Sequence, residues 1–503
     1  MSIELGTIYT LPLKKKLPNV NLLIFDIGGE SGRLHISQLS NNKELSQKMF
    51  DLFEVGEEVT VMVNDINKEK DYVELSTKAF RNYLDDSLSF TKCCELIQRE
   101  YNEYADLNNR HLTQYRNILN RLRGDLSSTG LTFLYELLQN AVDHPNTNFD
   151  NKVSVHFEVF NNYLLLKHNG ALFTENNFKS ITGILYGEEQ NEGNVRRIGY
   201  KGIGFKSVFR HSNNVYVRSG NFSFAFSKEL TGAEKPWEVM PVFQDERDKI
   251  QEIPQFEFFN SPVAFAFEFP NDESKEDVIN YLKELAKNPY LLIFLDNLVE
   301  LIITLPDDGF RFEKEFLKDD DIDIIRLKDS AGQNSDWVKF SDQYEIKDEE
   351  IIAELTNESN TSIPSNFRQF RNPKIEVVIP KEPEQNLINL FTYLPLSRTQ
   401  YELPFIINSD FIPNLDRTDI IDSLNYNRKV IEYAGLELLN SCQSLGQQGK
   451  FELQKALIPN YDEGNIPYKN IIRQTFIEKI NQYVLFPSQY GQWFGSKLGC
   501  DFA

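Results

Sequence analysis

Cysteine is scarce in this chain. Its 503 residues hold only Cys93, Cys94, Cys442 and Cys500, with no C-x-x-C pair, which excludes a zinc ribbon and fits a reducing compartment. Basic charge is also short: 53 Lys and Arg face 75 Asp and Glu, for a formal net charge of −22. Phosphate binding needs clustered cations, so a chain-wide nucleic-acid surface is excluded and any such contact must be local. No apolar run approaches the ~18 residues of a membrane span, and "MSIELGTIYTLPLKKKLPNV" at the start lacks the apolar core of a leader peptide. The expectation is a soluble, cytoplasmic protein with no membrane association. What is present is 41% hydrophobic and 13% aromatic residues, enough to fill sizeable cores, over a length that accommodates roughly three or four domains.

The densest glycine punctuation is "RIGYKGIGFKSVF" at 197–209. It is not a Walker A loop, because Phe205 intervenes between Gly204 and Lys206-Ser207 and moves the lysine off the phosphates it would have to reach. Nor is it the dinucleotide fingerprint, since its order is G-x-x-G-x-G. Upstream, "GLTFLYELLQNAVDH" (130–144) puts Leu134, Leu137, Leu138 and Val142 on one helical face. Glu136, Asn140 and Asp143 share another face at i, i+4 and i+7. Taken alone, such a polar stripe reads as a solvated surface.

Residues 1–80 alternate in five short strands, "LGTIYTL", "NLLIFDIGG", "GRLHIS", "EEVTVMVNDI" and "DYVELSTK", as a small closed β-barrel does. The segment resembles the S-one-type OB domain, an RNA-binding repeat, through Gly6-Thr7-Ile8, Phe25-Asp26, "GRLHISQLS" and "VGEEVTVMVNDINKEKDYVELSTK". The resemblance implies that Phe25 and His35 stack the bases of single-stranded RNA, an interaction worth about 1–3 kcal/mol per base. The same residues carry nine basic and twelve acidic side chains, so a docking module stands beside the RNA reading. Residues 81–125, including "CCELIQREYNEYADLNNRHLTQYRNILNRL", are polar and helical, and read as a connector without sustained heptads.

Together, E-x-x-x-N-A-x-D, then "KHNGALF", then "GYKGIGFKSVF" resemble the GHKL ATPase superfamily of gyrase, heat-shock-ninety chaperones, histidine kinases and MutL. Their order and spacing look most like its sacsin-type branch. The resemblance implies ATP and Mg²⁺ as cofactors. It casts Glu136 as the base for the attacking water, Asn140 as the Mg²⁺ ligand and Asp143 as a nearby acid. It makes Gly199, Gly202 and Gly204 the backbone cradle for the phosphates, ahead of a helix N-terminus. Lys201 and Lys206 read either as phosphate contacts or as surface lysines. His168-Asn169-Gly170 occupies the place of the family's D-x-G adenine reader, a departure that makes base recognition less secure than triphosphate binding. Residues 174–197 would form a lid over the nucleotide. Arg417, in "FIPNLDRTDI", would reach the γ-phosphate from the next domain or else make an interdomain ion pair, with Arg398 the weaker candidate.

The expected architecture is a multidomain α+β protein: an OB-type barrel (1–80), a helical connector (81–125), an α/β-sandwich GHKL ATPase domain (126–305), a transducer-like middle domain (306–430) and a mainly helical tail (431–503). The function this implies is a Mg²⁺-dependent ATPase switch that can pair protomers on binding nucleotide, in chaperone-like remodelling, stress response or defence, with an unnamed client. The alternative is a non-catalytic nucleic-acid or protein binding module with a degenerate nucleotide site. A histidine kinase is set aside because His111, the connector's histidine, lacks a phosphoacceptor box. No endonuclease, protease or methyltransferase motif is visible.

Overall fold

The computed structural model describes residue 3 and residues 8–39, 46–77, 88–105, 131–183, 204–244, 261–458, 467–483, 486–487 and 493–494, with short breaks inside the longer stretches. The chain is mixed α+β, with two principal sheets among the described residues. The first is N-terminal and contains β1 (Ile8–Pro12), β2 (Lys15–Leu17), β3 (Leu22–Ile27), β4 (Glu30–His35), β5 (Glu58–Asn67) and β6 (Tyr72–Ser76), in the order β1-β5-β6-β4-β3-β2. Its edge strands are successive arms of one bent segment, so the sheet curls towards closure. Leu13 donates its N–H to Glu57, and Lys14 donates to Ile24 on the other edge. The β3–β4 hairpin turns on Gly28 and Gly29, both at positive φ (64° and 97°), the pair of left-handed positions that a tight hairpin of matching twist requires. Strict alternation turns Leu23, Phe25 and Ile27 inward, where they pack with Leu34, Val61, Val63, Val73 and Leu75.

The second sheet starts with β7 (Val153–Phe160), β8 (Tyr163–His168), β9 (Asn214–Ser219), β10 (Phe222–Ser227), β11 (Val242–Phe243), β12 (Val263–Glu268) and β13 (Leu298–Thr304). It continues through β14 (Gly309–Asp319), β15 (Ile322–Lys328), β16 (Asn334–Gln343), β17 (Lys374–Pro380), β18 (Leu390–Thr392), β19 (Leu394–Pro395) and β20 (Ile406–Ser409). The order is β11-β10-β9-β12-β8-β7-β13-β14-β15-β16-β17-β20-β18-β19. β13 pairs parallel with β7 and antiparallel with β14, so the ladder runs on past residue 305.

Against this sheet lie α1 (Phe90–Ala105), α2 (Leu131–Asp143), α3 (Glu175–Thr182), α4 (Asp272–Lys287) and the short α5 (Leu291–Phe294). Further along come α6 (Glu349–Thr356), α7 (Asn425–Gln447), α8 (Phe451–Leu457) and α9 (Pro467–Lys479). Two cores result, and the strands β15, β16, β17 and β20 serve both. Ile325, Trp337, Val378 and Ile406 point into the core that holds α2, α4 and α5. Their neighbours Ile324, Val338, Val377 and Ile407 point into the core around α7 and α9. The period-2 side-chain alternation of a strand thus makes this part of the sheet a wall shared by both cores. Residues 306–430 therefore serve two cores: part of them completes the one built by 126–305, and the rest begins a second with the helices that follow.

The connector expectation is corrected for 88–105. Cys93, Leu96, Ile97 and Glu100 follow the i, i+3, i+4, i+7 spacing of one helical face, and all four are buried. The three apolar ones enter the same core as α2. Asn221 clamps the entry to α1 by donating to the carbonyl of Leu88 at 2.8 Å.

Candidate functional site

α2 presents the stripe read from the sequence. Phe133, Leu134, Leu137, Leu138, Ala141 and Val142 are buried, while Glu136 and Asp143 are half-buried and Asn140 is exposed. The turn Gly204–Arg210, a short 3-10 helix, packs on this helix. Phe133 stacks on His211 just beyond the turn, with ring centroids 4.9 Å apart. Glu136 and Asn140 are thus carried by the helix that contacts the end of the glycine-rich stretch. Gly199, Lys201 and Gly202 lie outside the described residues, as do Arg417 and most of the expected lid. Of the lid's sequence, 175–182 is α3, whose start is fixed by a reciprocal capping box between Thr174 and Asn177.

The H-N-G segment follows β8, and its side chains are engaged inside the protein. Asn169 Oδ1 accepts the N–H of Ser154 at 2.7 Å, and its Nδ2 donates to the carbonyl of Lys152 at 3.1 Å. Both ends of the amide thereby clamp the start of β7. His168 is buried, and its Nδ1 accepts from the N–H of Gly170 at 3.2 Å. An accepting Nδ1 carries no proton, so the ring is neutral. Burial, with a smaller contribution from His144, holds its pKa down at about 3. At the place of the family's adenine reader, His168 Nδ1 and both ends of the Asn169 amide are thus engaged with the backbone that shapes the turn. Gly170 is there for contact. A Cβ at this position would stand 2.9 Å from the carbonyl oxygen of His144 and 3.1 Å from that of Ala141, so the turn abuts the end of α2. The N–H of Ala171 donates to the same His144 carbonyl at 2.7 Å.

Lys206 is also corrected. It is neither a surface lysine nor aimed at an external anion. It is buried, and its Nζ donates to the carbonyls of Ile181, Thr182 and Glu238. Burial pulls its pKa down to about 7, while the charges of Glu238 and Glu100 oppose that fall.

On the barrel, Phe25 is 1% exposed and sits in the core, because alternation on β3 turns Leu22, Ile24 and Asp26 outward instead. It cannot stack a base without the barrel opening. His35 is exposed at the end of β4, with Nδ1 hydrogen-bonded to Ser37. The sequence reading passed over Arg33 and Tyr72, which stack with the guanidinium carbon 4.2 Å from the ring centroid. Their signal was the same alternation, since Arg33 stands two residues before His35 on the same face.

Among the described residues no group of three or more His, Cys, Asp or Glu side chains could hold a metal ion by itself, and no helix is long and apolar enough to cross a membrane. No family model matches the chain. Protein NO VEIN of Arabidopsis thaliana is 26% identical over 331 residues, covering 63% of this chain and 11% of that protein. This chain therefore spans about a tenth of the curated relative's length. Among solved structures, the solution structure of GSP13 from Bacillus subtilis is 23% identical and covers 16% of this chain and 59% of that one, at a TM-score of 0.14.

Proposed function

We propose that the chain is a Mg²⁺-dependent ATPase of the GHKL type, working as a nucleotide-driven conformational switch. The observation that carries this reading is the packing of the Gly204–Arg210 turn on the one helix that exposes Asn140 and leaves Glu136 half-buried a turn away. The amide oxygen of Asn140 is a hard donor of the kind Mg²⁺ accepts, and Mg²⁺ commonly takes only one or two protein ligands alongside phosphate oxygens. Bound there, Mg²⁺ would neutralise charge on the phosphates. Glu136 would hold and deprotonate the attacking water, and the glycine backbone would hold the phosphates. Arg417 would reach the γ-phosphate, as the resemblance implies, and complete the site.

Measuring Mg²⁺-dependent ATP turnover and nucleotide affinity of the wild type and of Glu136→Ala tests this. General-base removal costs about 10²–10⁴-fold, so turnover should fall by at least that lower figure with ATP still bound. A wild type that binds no triphosphate sinks the reading.

A second reading, a binding module with a degenerate nucleotide site, is favoured by one observation: the side chains of His168 and Asn169 are committed internally. Under the first reading the same fact implies weak base selectivity, so ATP and GTP should bind within about tenfold of each other. For residues 1–80 we propose single-strand binding on the outer face of β3, β4 and β6. Support comes from a strand order in which β1 and β2 act as one bent strand, as in an OB-type barrel, and from exposed His35. A flat, weak response to single-stranded RNA across salt concentrations leaves a docking module instead.

A further inference from the structure

A buried ammonium is costly unless its charge and its hydrogens are used. At Lys206 they are. An ammonium has three N–H donors, and three carbonyls receive them. Two belong to Ile181 and Thr182, in the last turn of α3. The third is that of Glu238, 2.9 Å away. The last carbonyls of a helix have no intrahelical partner and form the negative end of its dipole, so the lysine closes the end of α3. The rings of Phe205, Phe209 and Phe226 surround it, with centroids 4.9–6.0 Å from Nζ. α1 reaches the same place: the buried Glu100 acts on Lys206 through its charge, and Arg99 pairs with Glu175 at the start of α3, 3.1 Å apart.

We propose that Lys206 is a positioning residue for the nucleotide site: it ties the Gly204–Arg210 turn to the end of α3 and to Glu238, and so holds that turn against α2, which carries Glu136 and Asn140. This rests on the ATPase reading above and assigns Lys206 a role other than phosphate contact. Backbone N–H groups cannot re-aim as a side chain can, and a displacement of about 1 Å in such a site costs on the order of 10²-fold. The aromatic surround and the α1 contact make the tie part of the folded core, present before any nucleotide arrives.

The test uses the full chain as wild type, Lys206→Met, Lys206→Arg and Glu100→Gln. Hydrogen exchange without nucleotide is read over 175–182 and 236–240, and ATP and ADP affinities are measured in parallel. Lys206→Met should speed exchange in both segments by about tenfold or more, as loss of a local tie does. ATP and ADP affinities should fall together, by about 10–100-fold, with partial rescue in Lys206→Arg. Glu100→Gln, which keeps the lysine but removes a buried charge that acts on it, should raise exchange in the same segments by a smaller factor, and it serves if Lys206→Met does not fold. Unchanged exchange at 175–182 in the folded variants overturns the tie. Faster exchange with unaltered ATP affinity overturns the positioning role, and a loss confined to ATP with ADP spared would show a γ-phosphate contact instead. A wild type that binds neither nucleotide overturns the ATPase reading and the role built on it, while the exchange data still decide whether the tie exists.

Discussion

Phe25 and His168 show how far burial can redirect a residue's chemistry. The family resemblances put both at places that contact a base, and both are buried. Phe25→Ala should therefore cost about 3–5 kcal/mol of barrel stability, the usual loss for a buried phenylalanine, whereas loss of an exposed stacking residue would leave stability nearly unchanged. Urea unfolding followed on a barrel signal separates the two outcomes. Gly170→Ala would drive a methyl group into two backbone carbonyls, and overpacking of that kind costs about 1–3 kcal/mol, visible as a lowered Tm. His168, His156 and His211 are held at about 3, 4 and 4 by burial. Their folded pKa values lie below the unfolded value near 6.5, so the unfolded chain binds protons that the folded chain refuses. Their contribution to stability is complete above pH 6.5 and is lost as the pH falls from there towards 3–4. Each histidine steepens the loss by about 1.4 kcal/mol per pH unit in that window. Between pH 6 and 4.5, His168→Asn should flatten the dependence by that amount; an unchanged slope would mean that His168 does not stay neutral in the fold.

At the scale of elements, α1 and α2 differ in legibility. The polar face of α2 was readable because i, i+4 and i+7 bring residues together on any helix, whatever it packs against. The apolar stripe of α1 is narrower and ends in Glu100, so a polar composition masked a docked helix. The remedy was the spacing itself: Cys93, Leu96 and Ile97 mark the buried seam. Leu96→Ala should cost about 2–5 kcal/mol and lower the melting temperature of the large sheet with it. Arg99→Ala, removing an exposed ion pair, should cost less than about 1 kcal/mol. Equal effects from the two would mean that α1 is held by charge rather than by packing.

At the scale of the molecule, the sequence places a transducer-like middle domain at 306–430, after the ATPase unit. The ladder crosses that point through β13 and β14, and Trp337, Val378 and Ile406 enter the core of the preceding unit. The barrel, by contrast, has a core built from its own residues. Calorimetry of the full chain should resolve a transition for 1–80 separate from a single cooperative one for the large sheet, since one shared wall couples its two cores. A chain ending at residue 305 should fail to fold, because it leaves the β14 edge of β13 and one side of the first core uncovered. Independent melting of 126–305 would contradict the shared wall.

Sequence alone determined what depends on local period and local chemistry: the strands of residues 1–80, the polar stripe of α2, the glycine punctuation around 204, and the exclusion of a Walker loop. Each of these is set within about two helical turns of chain. Only the tertiary structure decided which polar groups stay exposed and which are spent inside. Lys206, Asn169 and His168 find their partners at Ile181, Ser154 and Gly170, and no spacing rule says whether a given lysine or amide will meet a backbone carbonyl before it meets solvent. That outcome belongs to packing, where a buried polar group must be satisfied by whatever the fold brings beside it.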